Sequence, residues 1–370
     1  MTNSRLTSTK HAQVYDALRR EIESGRWRAG DRMPSEAELV QRFGHSRITV
    51  GRALRDLQAD GIVERRVGSG TFVRGVSAGS ALSFGLLIPD LGTTDIFEPI
   101  CQGMMGSPLA RPHALLWGSA AGHATSTADQ AWQLCQHYIE REVSGVFFAP
   151  LELTPTANDI NHRIARALTD ARIPIVLLDR TVSAYPAPSL YDVVGIDNRS
   201  AGFVAAEHLL SLGCERIAFL AAPNAASTVD AREAGYREAL FSRGLVPDAS
   251  LAARVSPDDT EAVRTLMLEH RPQGIVCAND RTAGRLMHTL RRLAYRVPHD
   301  VRLVGIDDVE YAALLPVPLT TLRQPTRQLG ELALGVMLQR IAQPDLPPRD
   351  TRLRCELVVR ESCGANRKAA

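Results

Sequence analysis

The chain has 370 residues, 45% of them hydrophobic and 23% charged, and a net charge of +2, the balance of an ordinary globular protein of two or three domains. No run approaches the roughly 18 apolar residues of a transmembrane helix, Met1 to Lys10 lacks the apolar core of a secretory signal, and the six cysteines form no C-x-x-C pair. These features argue against a membrane partner, export, a disulfide framework and a metal site, and the expected location is the cytoplasm. Lysine occurs only at Lys10 and Lys368, which excludes enzymes that need an internal Schiff-base lysine.

The charge is unevenly placed. Residues 1–76 hold 14 Lys and Arg against 9 Asp and Glu, a net of +5, and the remainder carries −3. A basic head on a slightly acidic body suits contact with phosphates, although a surplus of solvated arginines gives the same count.

In chain order, Val14, Ala17, Leu18 and Ile22 recur at helical spacing and predict an amphipathic helix over about residues 9–24, stopped by Gly25. Ser35 and Glu38 form a capping-box pattern that opens a second helix, ending near Phe43-Gly44. Ser46 caps a third, with Val50, Ala53, Leu54 and Leu57 as its buried stripe and Asp60-Gly61 as its end. Two strand-like runs, 62–67 and 71–73, flank Gly68-Ser69-Gly70 and read as a hairpin. Three helices and a hairpin predict a winged helix-turn-helix.

In such a domain the third helix enters the major groove, N-terminal end first. Arg47 lies in its first turn, where a guanidinium can bind guanine O6 and N7. Ser35, Ser46 and Thr49 are candidates for phosphate or base, Arg52 and Arg55 for phosphates, and Arg65, Arg66, Gly68, Ser69 and Gly70 form the wing. For any single arginine here, a solvated helix face is the competing reading.

The run PSEAELVQRFGHSRITVGRALRDLQADGIVERRVGSGTFV, residues 34–73, resembles the DNA-binding domain of the GntR family. The resemblance spans about residues 10–75 and implies a regulator that binds double-stranded operator DNA. That family usually places arginines where Ala37 and Gly51 stand here. Glycine inside a helix costs about 1 kcal/mol relative to alanine, so Gly51 reads either as close approach to DNA or as a tolerated change.

The small polar stretch from Arg74 to Ser80 reads as a linker. Beyond it, strand-like runs at Phe84–Ile88, Ala114–Trp117, Gly145–Ala149, Ile175–Leu178, Val193–Ile196, Arg216–Leu220, Gly274–Cys277 and Val301–Gly305 alternate with helical stretches at Ala128–Glu140, Ile160–Ala171, Ser200–Leu212, Ala231–Arg243, Asp259–His270 and Arg281–Leu293. This alternation predicts an α/β architecture of two doubly wound parallel-sheet lobes. The expected domains are 1–75 (winged helix), 76–82 (linker), 83–364 (two-lobed) and 365–370 (tail).

Ligands of open α/β sheets bind at the carboxyl ends of strands. There stand Thr94, Asp95 and Phe97, then Asp179-Arg180, Asn279-Asp280 and Asp307-Asp308. Paired donors and acceptors beside an aromatic ring suit sugar hydroxyls.

The segments 173–180, 194–198, 278–280, 304–308 and 318–321 resemble the effector domain of LacI/GalR regulators, itself similar to periplasmic sugar-binding proteins. The resemblance runs from about residue 84 to Ser362 and implies effector contacts at Asp179, Arg180, Arg232, Asn279, Asp307 and Gln324, with Phe97 as a stacking residue. It implies a homodimeric repressor controlled by a small molecule, most simply a neutral monosaccharide, without a cofactor.

Structural alternatives stand beside these roles. Asp197-Asn198, Asp280 and Asp308 fit helix caps, and Arg232 fits an ion pair. Pro108 and Pro112 make a long helix over 103–112 unfavourable where the family runs one, so dimer geometry and the pocket mouth are expected to differ. A regulator of a non-sugar effector is the nearest alternative function. An enzyme lacks a G-x-S-x-G, H-E-x-x-H or P-loop signature here, and a transport-type binding protein lacks a DNA-binding head.

Overall fold

The computed structural model describes residues 10–23, 26–27, 30–59, 62–66, 69–73, 81–88, 91, 95–118, 126–153, 156–183 and 185–365. They fall into two compact units, Met1–Leu82 and Ser83–Ala370.

The first unit holds α1 (Lys10–Glu23), α2 (Glu36–Phe43), α3 (Arg47–Ala59) and an antiparallel hairpin of β1 (Val63–Arg66) and β2 (Gly70–Val73). The apolar stripes converge as their spacing dictates. Val14 and Leu18, Leu39, and Val50, Ala53, Leu54 and Leu57 bury together with Met33, Val63 and Val73. Burying each large aliphatic side chain contributes about 1.5–3 kcal/mol, and in so small a unit these ten residues are most of the core. The capping box forms: the Glu38 N–H donates to Ser35 Oγ and the Ser35 N–H donates to Glu38 Oε2. Gly44, at φ 64°, closes α2 in the left-handed region that glycine alone adopts without strain. Gly25, Asp60, Gly61 and Gly68 lie outside the described residues.

In the second unit the chain runs β3 (Ser83–Leu87), α4 (Phe97–Gly106), β4 (Ala114–Leu116), α5 (Thr127–Glu140), β5 (Gly145–Phe148), α6 (Ala157–Asp170), β6 (Ile175–Leu178) and β7 (Asp192–Ile196). It continues through α7 (Asn198–Ser211), β8 (Ile217–Ala221), α8 (Ser227–Ser242), β9 (Ala252–Arg254), α9 (Thr260–Thr265), β10 (Gly274–Cys277), α10 (Asp280–Arg292), β11 (Arg302–Asp307) and β12 (Thr320–Arg323). It ends with α11 (Thr326–Ala342), β13 (Asp350–Leu353) and β14 (Glu356–Val358).

Two six-stranded sheets result, in the orders β13-β7-β6-β5-β3-β4 and β14-β12-β11-β10-β8-β9. All pairings are parallel except β12 with β14. The central strands read GVFF, IVLL and GIVC and are buried throughout, because helices cover both faces of a parallel sheet. The chain passes between the lobes three times: β7 leads to α7 on the second sheet, β12 to α11 against β5, β6 and β7 of the first, and β13 to β14.

Pro108 begins a single 3₁₀ turn, Pro108–Ala110, after α4 has ended at Gly106. The long helix is interrupted there, although Gly103 to Gly106 remain helical. Helices α7 and α8 cross closely because Gly202 and Gly235 carry no side chain; a Cβ on Gly202 would collide with the Arg232 carbonyl, and one on Gly235 with that of Arg199. That crossing sets the position of Arg232.

Candidate functional site

In the N-terminal unit, Arg47 occupies the first position of α3, its side chain 83% exposed, with Nε 3.3 Å from Glu36 Oε2. The other Glu36 oxygen accepts from Arg65 Nη2 of the hairpin at 2.5 Å. One carboxylate on α2 therefore ties the head of α3 to the hairpin. Ser46 Oγ accepts from the Thr49 N–H at 3.3 Å and lies 2.9 Å from Thr49 Oγ1, so Ser46 caps α3 and the two hydroxyls bond to each other. Arg52 and Arg55 project as an exposed row one and two turns on. Arg66 stacks its guanidinium 4.7 Å from the Phe72 ring and donates to Glu64. Ser69 is exposed and Gly70 holds φ 112° against Arg32. Ser35 is exposed but its hydroxyl serves the capping box. The basic side chains thus present one end of α3 and the hairpin.

In the second unit, the strand ends of the two sheets deliver charged side chains to the space between the lobes. After β6 come Asp179 and Arg180, both under 10% exposed. Arg180 donates through Nε to Asp179 Oδ2 at 3.0 Å and pairs through Nη1 with Glu152 Oε1 at 2.8 Å. Asp179 Oδ1 is buried and has no hydrogen-bond partner among the described residues. Opposite, Arg232 on α8 donates to Asn198 Oδ1 at 2.8 Å and to the Ala278 carbonyl at 2.5 Å, and Nη2 lies 3.7 Å from Asp307 Oδ1. Gln324 Nε2 donates to the same Asp307 oxygen at 2.7 Å. Asp179, Asp307 and Asp308 hold φ of 69°, 134° and 57°, a left-handed geometry that costs a non-glycine residue about 1–3 kcal/mol and concentrates where function fixes the backbone.

The electrostatics follow from burial. Burial pushes the Asp307 carboxyl well above the usual carboxylate range, with Arg232 opposing and Asp280 adding to the effect. Burial acts the same way on Glu152, but the Arg180 charge and hydrogen bond, the Ala226 N–H and Arg232 outweigh it and hold Glu152 below its ordinary value. Glu152, Asp179 and Asp307 thus face Arg180 and Arg232, an excess of one carboxyl group. Among the described residues, contacts between the lobes lie on either side of these charged groups. On one side Glu152 Oε2 accepts from the Ala226 N–H at 3.2 Å and the Leu153 N–H donates to Asn224 O at 2.8 Å. On the other, Tyr311 OH donates to Asp95 Oδ2 at 3.2 Å, and Arg281 lies 3.5 Å from the same oxygen.

Several sequence expectations need revision. Asp280 caps nothing: the α10 cap is Asn279, whose Oδ1 accepts from the Thr282 N–H at 2.8 Å, which leaves its Nδ2 and the second lone pair of Oδ1 for a ligand. Asp280 is fully buried, accepting from Thr321 Oγ1 at 2.6 Å and the Val309 N–H at 3.1 Å. Asp308 is not a cap either; it sits between Arg323 and Arg360, at 2.6 and 2.7 Å. Asp197 does cap α7, through the Ser200 N–H, whereas Asn198 is a partner of Arg232. Phe97 is 5% exposed, with the Arg180 guanidinium 5.8 Å from its ring centroid, so a cation already lies over the ring expected to stack on a sugar. Gly68 and Thr94 lie outside the described residues. Glu152 escaped sequence reasoning, although it follows the end of β5 and the strand-end rule that found Asp179 points to it equally.

A winged helix-turn-helix head with an exposed basic helix, on a chain whose second unit brings together the charged strand-end side chains of two α/β lobes, defines a DNA-binding transcriptional regulator of the repressor type. Residues 10–73 match the bacterial regulatory proteins of the gntR family and residues 206–363 a periplasmic binding protein-like domain; the chain thus joins a segment similar to gntR-family regulators to one similar to periplasmic binding proteins. It is 27% identical over 370 residues to the arabinose metabolism transcriptional repressor of Geobacillus stearothermophilus, covering 96% of this chain and 98% of that one. It is also 27% identical to the ribose operon repressor of Escherichia coli K12, over 81% of this chain and 88% of that one. A transcriptional regulator solved in complex with cellobiose shares the fold, with a TM-score of 0.64 and 24% identity over 86% of this chain and 91% of that one. Among the described residues no helix is long and apolar enough to cross a membrane.

Proposed function

We propose that the chain acts as a homodimer that binds double-stranded operator DNA through α3 and the hairpin, and that a neutral monosaccharide held between the two lobes controls this binding. Arg47 reads a guanine edge, Ser35, Ser46, Thr49, Arg52 and Arg55 position α3 on phosphates and bases, and Arg66, Gly68, Ser69 and Gly70 carry the hairpin along the adjoining groove. In the cleft, Asp179, Arg180, Arg232, Asn279, Asp307 and Gln324 contact the effector, and Phe97 packs behind Arg180. No step in this scheme uses a cofactor or makes or breaks a covalent bond. The observation that carries the effector reading is the Asp179 Oδ1 acceptor, buried in the cleft without a partner. Such an atom costs about 1–3 kcal/mol until a donor meets it, and a sugar hydroxyl supplies that donor. With burial favouring the protonated form of Asp307, the carboxyl groups of Glu152 and Asp179 match the guanidinium groups of Arg180 and Arg232, which leaves no surplus cation for a sugar acid or phosphate and favours a neutral polyol.

Thermal unfolding of the full chain against monosaccharides, sugar acids and purines tests this. A neutral sugar raises the melting temperature, by linkage at 100 times its Kd worth about 2.7 kcal/mol, and changes operator affinity. Asp179→Ala removes both responses and leaves DNA binding intact. A shift produced only by anionic ligands or purines, or an Asp179→Ala protein that still responds, overturns the effector assignment.

A further inference from the structure

Resting on the reading that α3 docks in the major groove, we propose that Ile48 is a specificity residue that reads the 5-methyl group of a thymine. Ile48 is 81% exposed, although α3 has a fully formed apolar stripe in Val50, Ala53, Leu54 and Leu57, each no more than 5% exposed. Ile48 is off that stripe. It lies on the row of Arg52 and Arg55, at i+4 and i+7, both exposed. It is not part of the apolar cluster formed by the described residues of the unit, and a β-branched residue in an exposed helical turn weakens the helix by a few tenths of a kcal/mol.

The flank of Ile48 is open as well. Gly51, one turn on, has no side chain, and a Cβ there would meet only Glu36 Oε1, at 3.8 Å. With no side chain at Gly51, the exposed Ile48 stands uncovered on that side, between Arg47 and Arg52 in sequence. On the exposed edge of a base pair the one apolar group in the major groove is the thymine methyl. Arg47 beside it is aimed at a guanine edge, so the pair would read adjacent bases by different chemistry.

The test starts from duplexes selected from a random library by the full-length protein. Each thymine of one half-site is then replaced in turn by deoxyuridine, which lacks only the methyl. At one position the wild-type protein is expected to lose about fourfold in affinity, the factor that corresponds to one buried methyl. Ile48→Val keeps that loss, and Ile48→Ser binds the thymine and deoxyuridine duplexes equally. A flat deoxyuridine scan with the wild-type protein, or the same sensitivity in Ile48→Ser, overturns the proposal. Arg47→Ala separates it from the docking reading. If Arg47→Ala selects the same sequences with unchanged affinity, α3 docking fails; if Arg47→Ala loses selectivity while the scan is flat, only Ile48 is misassigned.

Discussion

Replacing Arg232 with alanine should destabilise the second unit by about 3–7 kcal/mol, and replacing Asp307 with asparagine in the same chain should return about 1 kcal/mol. Arg232 is 4% exposed and holds three groups from different elements: Asn198 Oδ1 at the start of α7, the Ala278 carbonyl after β10, and Asp307 at the end of β11. Its loss strands two buried acceptors at about 1–3 kcal/mol each. It also leaves a buried carboxyl group without its cation, a change that costs about 3–5 kcal/mol when the pair is tight. Here the Nη2 to Oδ1 distance of 3.7 Å is too long for a charge-assisted hydrogen bond, and burial already favours the protonated form of Asp307. The ionic part is therefore the smaller one, about 1 kcal/mol, and it is the part Asp307→Asn recovers. Urea unfolding of the wild type, both single variants and the double variant, followed by tryptophan fluorescence, measures the cycle. A loss below about 1 kcal/mol for Arg232→Ala, or strictly additive single losses, would refute this account of the cleft.

Other outcomes are expected from the same geometry. Asp307 is pushed up to about 8 from its ordinary value of 3.8; a group whose folded pKa is raised contributes stability that is present at low pH and lost as pH rises through about 8. The urea midpoint of the wild type should therefore fall between pH 6 and pH 9 more than that of Asp307→Asn, which has no proton to lose there, and parallel profiles would remove Asp307 as the source. Gly202→Ala drives a Cβ into the Arg232 carbonyl at the α7–α8 crossing and should cost about 1–3 kcal/mol by overpacking, read as a lower melting temperature together with a weaker effector response. Arg47→Ala should lose about 1–3 kcal/mol of operator affinity, measured by titration at fixed salt, while binding to unrelated DNA changes little; an equal loss on both would place Arg47 on phosphate.

The alternation of apolar runs and helical stretches made both lobes legible, because central parallel strands are buried on both faces and read as unbroken hydrophobic runs: β6 and β10 begin and end where the runs at 175–178 and 274–277 do. Elements without that signal were not legible. The strands β13 and β14 read DTRL and ELV and lie at sheet edges with exposed and half-buried residues and none buried. Helix α11 buries Leu329, Gly330, Ala333, Leu334, Val336 and Met337 on more than one side, between α4 and the first sheet, which erases the one-sided periodicity that marks a helix.

For the N-terminal unit, local rules were enough. The capping box at Ser35, the stripe of α3 and the glycine that ends α2 are decided within a few residues of chain, so sequence alone determined the winged helix and its basic head. In the cleft, strand-end position determined which residues arrive, but their partners come from elements far apart in sequence. That Asp179 keeps a bare oxygen, that Glu152 takes Arg180 and that Asn198 serves Arg232 were decided only by the tertiary packing. Hydrogen-bond competition among buried groups depends on distances and angles that no local pattern encodes.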